Sequence, residues 1–502
     1  MPDMTQNKTL FTSQDILDAV KGASNVSQNK TLFTSQDILD AVKGASNVSQ
    51  TDISGVSIDT RTLQPGDLFI ALEGDIGDGH GHIDAAFDAG AQAAIVHKDV
   101  SSAHSDKVIT VDNTLTAMEA LGQFARERCK AIRIGVTGSA GKTGTKEMLG
   151  ILFDSFGKTH TSVKSYNNHW GVPLTLARMP QETDFGIFEM GMNHAGEISH
   201  LTQMVKPDIA IITSILPVHI EHFENETGIA HAKAEILEGL PQDGTAIING
   251  DTPHFDLIYK KASSLGIENI YSFGEDEDLD AHPIDIKLSS DGSKVNAKIL
   301  NETIKFRLSI PGKHIALNAI AVLTAVKAAG LDVHKAAKIL SKAEPIEGRG
   351  KKIEITLERG KAPLVIIDES YNANPAAMKA AFKVLEMNAP KSDGRRIAVL
   401  GDMLELGPQG PKMHADLANP LLKAHTDLVF TCGPQMEALF ETLPPPWKGA
   451  HEKDSLALSQ AVKEVVQPGD IVLVKGSLGS KMAYVVEALQ DLNLSKNTQE
   501  VA

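Results

Sequence analysis

The chain has 502 residues, 42% of them hydrophobic and 22% charged, with a formal net charge of −16. That length and balance suit a globular protein of about three domains, and the acidic surplus argues against a general nucleic-acid-binding role. Cys129 and Cys432 lie far apart and read as buried or incidental thiols, no apolar run reaches the length of a membrane span, and the N-terminus lacks a signal-peptide pattern, so the cytoplasm is the expected compartment and no membrane insertion is expected.

Residues 6–27 recur without change as residues 28–49. Two copies are too few for a solenoid. Each holds one short amphipathic helix, with Ile16, Leu17 and Val20 matched by Ile38, Leu39 and Val42. The second copy runs straight into the next element and is expected to be the integrated one, leaving the first as a spare unit. A recent duplication and an error in the sequence account for the repeat equally well. Next come strands around the Pro65-Gly66 turn, a helix over Ile83–Ala89 and a strand at Ala93–Val96, together a small α/β domain. The Asp59-Thr60-Arg61 stretch reads on local physics as turn chemistry.

Ile132–Thr137 reads as a short buried strand and Lys142–Phe156 as a helix with an apolar face. Between them Gly138, Ser139, Ala140 and Gly141 form a turn whose N–H groups converge on the helix N-terminus. Unpaired N–H groups and the helix dipole both favour an anion there. Lys142 is placed to reach β/γ-phosphates and the Thr143 hydroxyl to ligate Mg²⁺, so the stretch predicts nucleotide triphosphate binding, although Val136 stands where the usual spacing has glycine. Asn167 and Asn168 follow in a Gly/Pro-bounded loop that suits a polar ligand or a structural turn. Phe185–Met190 is a buried strand carrying Glu189 near its end, a natural second anchor for Mg²⁺ beside such a loop. His219, after the Asp208–Ile215 strand, fits a metal ligand or a hydrogen-bonded structural histidine. Lys233 sits in a helix among Ala and Ile, and Asn318 near the start of another, where asparagine is a poor interior former.

Pro345–Gly350 is a Gly-flanked hinge. Beyond it strands at 364–367, 396–400, 427–431 and 470–474 alternate with helices, which predicts a Rossmann-like parallel sheet. Polar motifs stand at the strand ends, where open α/β sheets bind ligands: Asp368–Pro375, Gly401–Gly407 and Lys475–Met482.

Taken together, Thr137–Thr143, Glu189, His219, Lys233, His314–Asn318 and Arg349 resemble the Mur ligase family, over about residues 30 to 490. Tyr371–Pro375, Gly401–Gly407 and Lys475–Ser477 resemble the branch that adds D-alanyl-D-alanine to UDP-N-acetylmuramoyl-tripeptide in peptidoglycan precursor synthesis. The resemblance implies an α/β protein of three domains: residues 1–109 binding the UDP substrate, 110–344 a central P-loop ATPase-type parallel sheet, and 345–502 a Rossmann-like domain closing over the site. It assigns Lys142 and Thr143 to phosphates and Mg²⁺, Glu189 and His219 to metal, and Asn318 to adenine. Arg349 and the acid at Asp368/Glu369 would contact ATP, and Thr60 matches the uridine side. Asn372, Asn374 and Lys475 suit a dipeptide: a cation for its carboxylate and short polar groups for its peptide bond. Lys233 matches a carbamylated lysine, whose added CO₂ makes a carboxylate-like ligand for a second Mg²⁺. Glu369 stands where many relatives carry Asp, and Leu478 where an Arg is expected.

The implied reaction is ATP-driven amide formation through an acyl phosphate, catalysed by a monomer. The rival readings are a sibling ligase, a folylpolyglutamate synthase, or a nucleotide-gated binding protein using its P-loop as a switch.

Overall fold

The computed structural model describes residues 31–42, 52–74, 77–163, 165–218 and 220–494. Three larger sheets carry the architecture, with one two-stranded ribbon at the N-terminal edge. The N-terminal sheet holds four parallel strands in chain order, Gly55–Ser57, Asp67–Ile70, Ala93–Val96 and Val108–Thr110. The ribbon pairs Phe33–Thr34 with Asp52–Ile53 and lies in the same core, beside the Ser35–Val42 helix. The second copy of the repeat thus contributes strand and helix; the first lies outside the described residues. The Thr114–Glu127 helix buries Ala117, Met118, Leu121 and Ala125 in that core together with Leu174 and Ala177 of the following domain.

The central sheet has nine strands. Six run parallel, with Ile132–Thr137 between Ile209–Ile212 and Phe185–Glu189. Its strands are near-continuous apolar runs because both faces are covered. Ile134, Val136, Ile209 and Ile211 point to one face, under the Lys142–Asp154 and Lys313–Ala328 helices; Ala210, Ile212, Phe188 and Met190 point to the other. A three-stranded antiparallel meander, Ala281–Ser289, Gly292–Ile299 and Glu302–Leu308, extends its far edge, its first strand joined to Asn269–Phe273 by a parallel pair. The C-terminal sheet has five parallel strands and an antiparallel edge strand, Lys351–Ile355. Its Leu364–Glu369, Arg396–Gly401, Leu428–Cys432 and Ile471–Lys475 strands fall where the alternating pattern predicts them.

Further contacts tie the N-terminal domain to the central one. Arg178 Nε donates to Val56 O at 2.6 Å, and Trp170 lies so close to Gly74 that a Cβ there would meet its ring at 2.5 Å. No helix among the described residues is long and apolar enough to cross a membrane.

Candidate active site

The loop after Ile132–Thr137 turns as its glycines require. Gly138 has φ of 147° and Gly141 of 85°, both in the region that side chains disfavour. Neither position has room for a side chain: a Cβ at Gly138 would lie 2.0 Å from Thr213 Oγ1, and one at Gly141 2.4 Å from Asn318 Nδ2. The neighbouring strand end clamps the loop. Ser139 N donates to Ser214 O at 2.8 Å and Ala140 N to Ser214 Oγ at 3.0 Å, while Thr213 Oγ1 donates to Ala140 O at 2.6 Å. Ser139 and Ala140 are therefore occupied in holding the loop. The first-turn N–H groups of Lys142, Thr143 and Gly144 have no intrahelical partner and are the ones left for an anion. Lys142 Nζ folds back onto Gly138 O at 2.7 Å. Enclosure pushes its ammonium below the usual lysine range; Glu189 opposes that shift and Arg349 adds to it.

Glu189 ends its strand level with Val136 of the loop strand and is 1% exposed. Asn167 Nδ2 donates to its Oε1 at 2.7 Å, and its Oε2 is buried with no partner among the described residues. An uncompensated carboxylate oxygen is costly, so its retention marks a place for a cation. Lys233, on the Glu226–Ala234 helix, is also 1% exposed, and no hydrogen bond or ion pair joins it to a described residue. Burial drives its pKa well below the usual value, Lys142 pushes the same way, and Glu235, Glu197 and Glu189 pull back. The oxygens of Thr143 and Glu189 suit a hard divalent cation, which keeps several waters and binds few protein groups. No cluster of three or more His, Cys, Asp or Glu able to hold a metal occurs among the described residues, and His219 lies outside them.

The hinge brings Arg349 to this centre. Its guanidinium stacks 4.2 Å from the Tyr371 ring centroid, and Nη2 donates to Ser165 Oγ at 3.4 Å. Ser165 Oγ also lies 3.2 Å from Thr143 Oγ1, so it stands between the hinge and the P-loop. Ser165, Thr213 and Ser214 carried no distinguishing signal in the sequence, because each matters through partners far away along the chain.

Several expected ligand contacts are already committed within the protein. Asp368 accepts from Gly348 N at 2.8 Å through one oxygen and from Ser370 N and Oγ at 3.1 and 2.6 Å through the other, so it braces the hinge. Asn168 Oδ1 accepts from Gly171 N at 2.9 Å, Asn374 Oδ1 from Ala377 N at 2.8 Å and Asn372 Oδ1 from Ala373 N at 2.8 Å; the middle one caps the Pro375–Met387 helix. Lys475, 2% exposed, donates to Glu369 Oε2 at 3.0 Å and Asn372 O at 2.9 Å, so it is not a free cation for a dipeptide carboxylate as the chain stands. Thr60 is half-buried in the turn that the Asp59–Arg61 ion pair closes at 2.6 Å. Tyr166 is within electrostatic reach of both Arg61 and Arg178, which brings that turn towards the 165–170 loop.

Comparison with known proteins addresses the family. Matches cover residues 52–128 (Mur ligase family, catalytic domain), 136–326 (Mur ligase middle domain) and 354–478 (Mur ligase, glutamate ligase domain). A Rickettsia prowazekii protein named UDP-N-acetylmuramoyl-tripeptide--D-alanyl-D-alanine ligase is 35% identical over 87% of this chain and 95% of its own. This chain belongs to the Mur ligase family. Its fold has the three-domain α/β architecture of solved Mur ligases. MurF from Acinetobacter baumannii superposes with a TM-score of 0.80 at 29% identity, over 91% of this chain and 99% of that one. MurF ligase from Thermotoga maritima in complex with ADP gives 0.71 at 25% identity, over 87% and 97%. Lys142, Thr143, Glu189, Lys233 and Asn318 fall within the Mur ligase middle domain, Glu369 and Lys475 within the glutamate ligase domain, and Arg349 in the stretch between them.

Proposed function

We propose that this chain is the ATP-dependent Mur ligase that joins D-alanyl-D-alanine to UDP-N-acetylmuramoyl-tripeptide in peptidoglycan precursor synthesis. One observation carries the chemistry: a P-loop lysine and threonine share this centre with a Glu189 oxygen and a buried Lys233 that have no partner among the described residues, and the hinge delivers Arg349. In the reaction the tripeptide carboxylate attacks the γ-phosphorus of ATP, ADP leaves, and an acyl phosphate remains. The dipeptide amine then attacks the acyl carbon, loses a proton, and phosphate departs. Lys142 stabilises the charge gathered as the carboxylate and the γ-phosphate approach, once it exchanges Gly138 O for phosphate. Asn167 holds Glu189 so that its second oxygen faces a cation. Arg349 adds positive charge from the C-terminal side.

Thr143 and Glu189 would hold one Mg²⁺. Lys233, as a carbamate and with His219, would hold a second. When bound, these ions would neutralise phosphate and carboxylate charge. Carbamylation needs the neutral amine, and burial of Lys233 favours it. Asn318, packed on Gly141, is assigned to adenine, Thr60 to the uridine side and the Glu369–Lys475 pair to the dipeptide end. Because one chain supplies all these groups, the enzyme acts as a monomer, in the cytoplasm where ATP is available.

The test supplies the full chain with ATP, Mg²⁺, UDP-N-acetylmuramoyl-tripeptide and a panel of amines, and measures phosphate release and product mass. D-Ala-D-Ala should be strongly preferred. Faster release with L-Ala, D-Glu or L-Lys would make the chain a sibling ligase, and phosphate release indifferent to both substrates would make it a nucleotide-gated binder.

A further inference from the structure

Both copies of the repeat precede every family match, and the first lies outside the described residues. Its twin is built into the N-terminal core, where Leu32, Phe33 and Ile38 are buried. The contacts of this unit divide into two sets. Those inside it are a reciprocal cap, with Thr34 N on Asp37 Oδ2 at 2.8 Å and Asp37 N on Thr34 Oγ1 at 3.1 Å, and the Gln36–Asp40 bond at 2.7 Å. Residues 9–20 have the same sequence as 31–42 and therefore the means to make all of them.

Among the described residues, the outward contacts go to residues that belong to neither copy. Leu32 N donates to Ile53 O at 2.6 Å, and Arg128 Nη1 donates to Leu32 O at 2.5 Å. The Arg128 guanidinium lies 4.4 Å over the Phe33 ring, whose centroid is 6.2 Å from that of Phe124. Nothing on this receiving surface distinguishes one copy from the other.

We propose that the surface formed by Ile53, Phe124 and Arg128 takes residues 9–20 as well as residues 31–42, so that the two copies are alternative occupants of one docking slot within a single chain. Tether length sets the preference between them. Nine residues separate Val42 from Asp52, whereas 31 separate Val20 from it. Closure entropy, which grows with the number of intervening residues, then favours the second copy by roughly six-fold, which leaves the first accessible.

Deletion cannot test this, since removing either copy yields the same polypeptide. Paired substitutions can. In the full chain, Phe33→Asp with Ile38→Asp should lower the melting midpoint of the N-terminal domain by no more than about 4–8 °C, the cost of closing the longer tether, because residues 9–20 take the slot. Phe11→Asp with Ile16→Asp should be neutral. All four together, or Phe33→Asp with Ile38→Asp in a chain with one copy removed, should unfold the N-terminal domain. In the first variant the copies differ in mass, so hydrogen exchange can be read separately, and residues 9–20 should gain protection of about ten-fold or more. The proposal is overturned if that variant is as damaged as the quadruple one, if the quadruple variant is undamaged, or if residues 9–20 gain no protection. Rescue accompanied by a dimer on size-exclusion chromatography would overturn it too, because the spare copy would then act between chains.

Discussion

Glu189 and Asn167 show how one hydrogen bond decides what a buried acid can do. With Oε1 held at 2.7 Å, Oε2 has a fixed direction and no partner among the described residues. Asn167→Ala should therefore keep the fold and lower turnover by about 10–100-fold, with a higher Mg²⁺ requirement, as loss of a metal-orienting contact does. An unchanged Mg²⁺ titration would remove Asn167 from this role. Lys233 presents the opposite case, a buried amine with no hydrogen bond or ion pair to a described residue. Its folded pKa lies below its unfolded value, so between the two the unfolded chain binds more protons, and the folded state loses stability as pH falls through that window. Lys233→Met removes the penalty. It should raise Tm by about 2–4 °C for each kcal/mol recovered, with a larger gain at pH 7 than at pH 9, while abolishing turnover. Lys233→Ala should likewise be inactive and regain part of its activity with added formate or acetate, small carboxylates able to stand in for a carbamate. A gain in Tm independent of pH, or no rescue, would contradict the respective half of this account.

Elements divide by how local their causes are. The Pro375–Met387 helix begins where Asn374 caps it and Pro375 opens it, so Asn374→Ala should cost about 1 kcal/mol of stability, read by denaturant titration, with little change in KM for D-Ala-D-Ala. A large KM effect without loss of stability would return Asn374 to the substrate. The central strands Ile132–Thr137, Phe185–Glu189 and Ile209–Ile212 and the C-terminal strands Leu364–Glu369, Arg396–Gly401, Leu428–Cys432 and Ile471–Lys475 were legible as apolar runs, because burial on both faces writes itself into the sequence. The Ala281–Leu308 meander was not legible: Lys287, Lys294, Lys298 and Lys305 interrupt it, and a register shift lies between Pro283 and Asp285. The edge strand Lys448–Glu452 has no apolar run at all and exists by pairing with Leu428–Cys432. The same division governs the site. Lys142, Thr143 and Glu189 were visible because a turn or a strand end supplies their setting. The committed roles of Asp368, Asn168 and Asn374 were hidden, since a carboxylate or amide in a loop looks alike whether it serves a ligand or the backbone.

At the scale of the whole molecule, the central and C-terminal domains must meet for the chemistry to be productive. An acyl phosphate reacts with water as readily as geometry allows, so closure serves yield as much as rate. Arg349 is the described hinge side chain that touches both halves, stacked on Tyr371 on one side and bonded to Ser165 beside Thr143 on the other. Asp368 braces the turn beneath it, and Gly348 and Gly350, with φ of 73° and 95°, let that turn form. Removing the guanidinium leaves each domain's core intact but weakens their meeting. We expect Arg349→Ala to raise KM for ATP about ten-fold or more and to loosen coupling, so that phosphate released exceeds ligated product. Arg349→Lys keeps the charge but loses the planar stack and the forked donors, and should fall between the two. The measurement is parallel quantification of phosphate and product at saturating ATP, with small-angle scattering to read domain separation. A variant that slows turnover but keeps one phosphate per product and an unchanged scattering profile would show that Arg349 acts on the nucleotide alone, and that closure depends on other contacts.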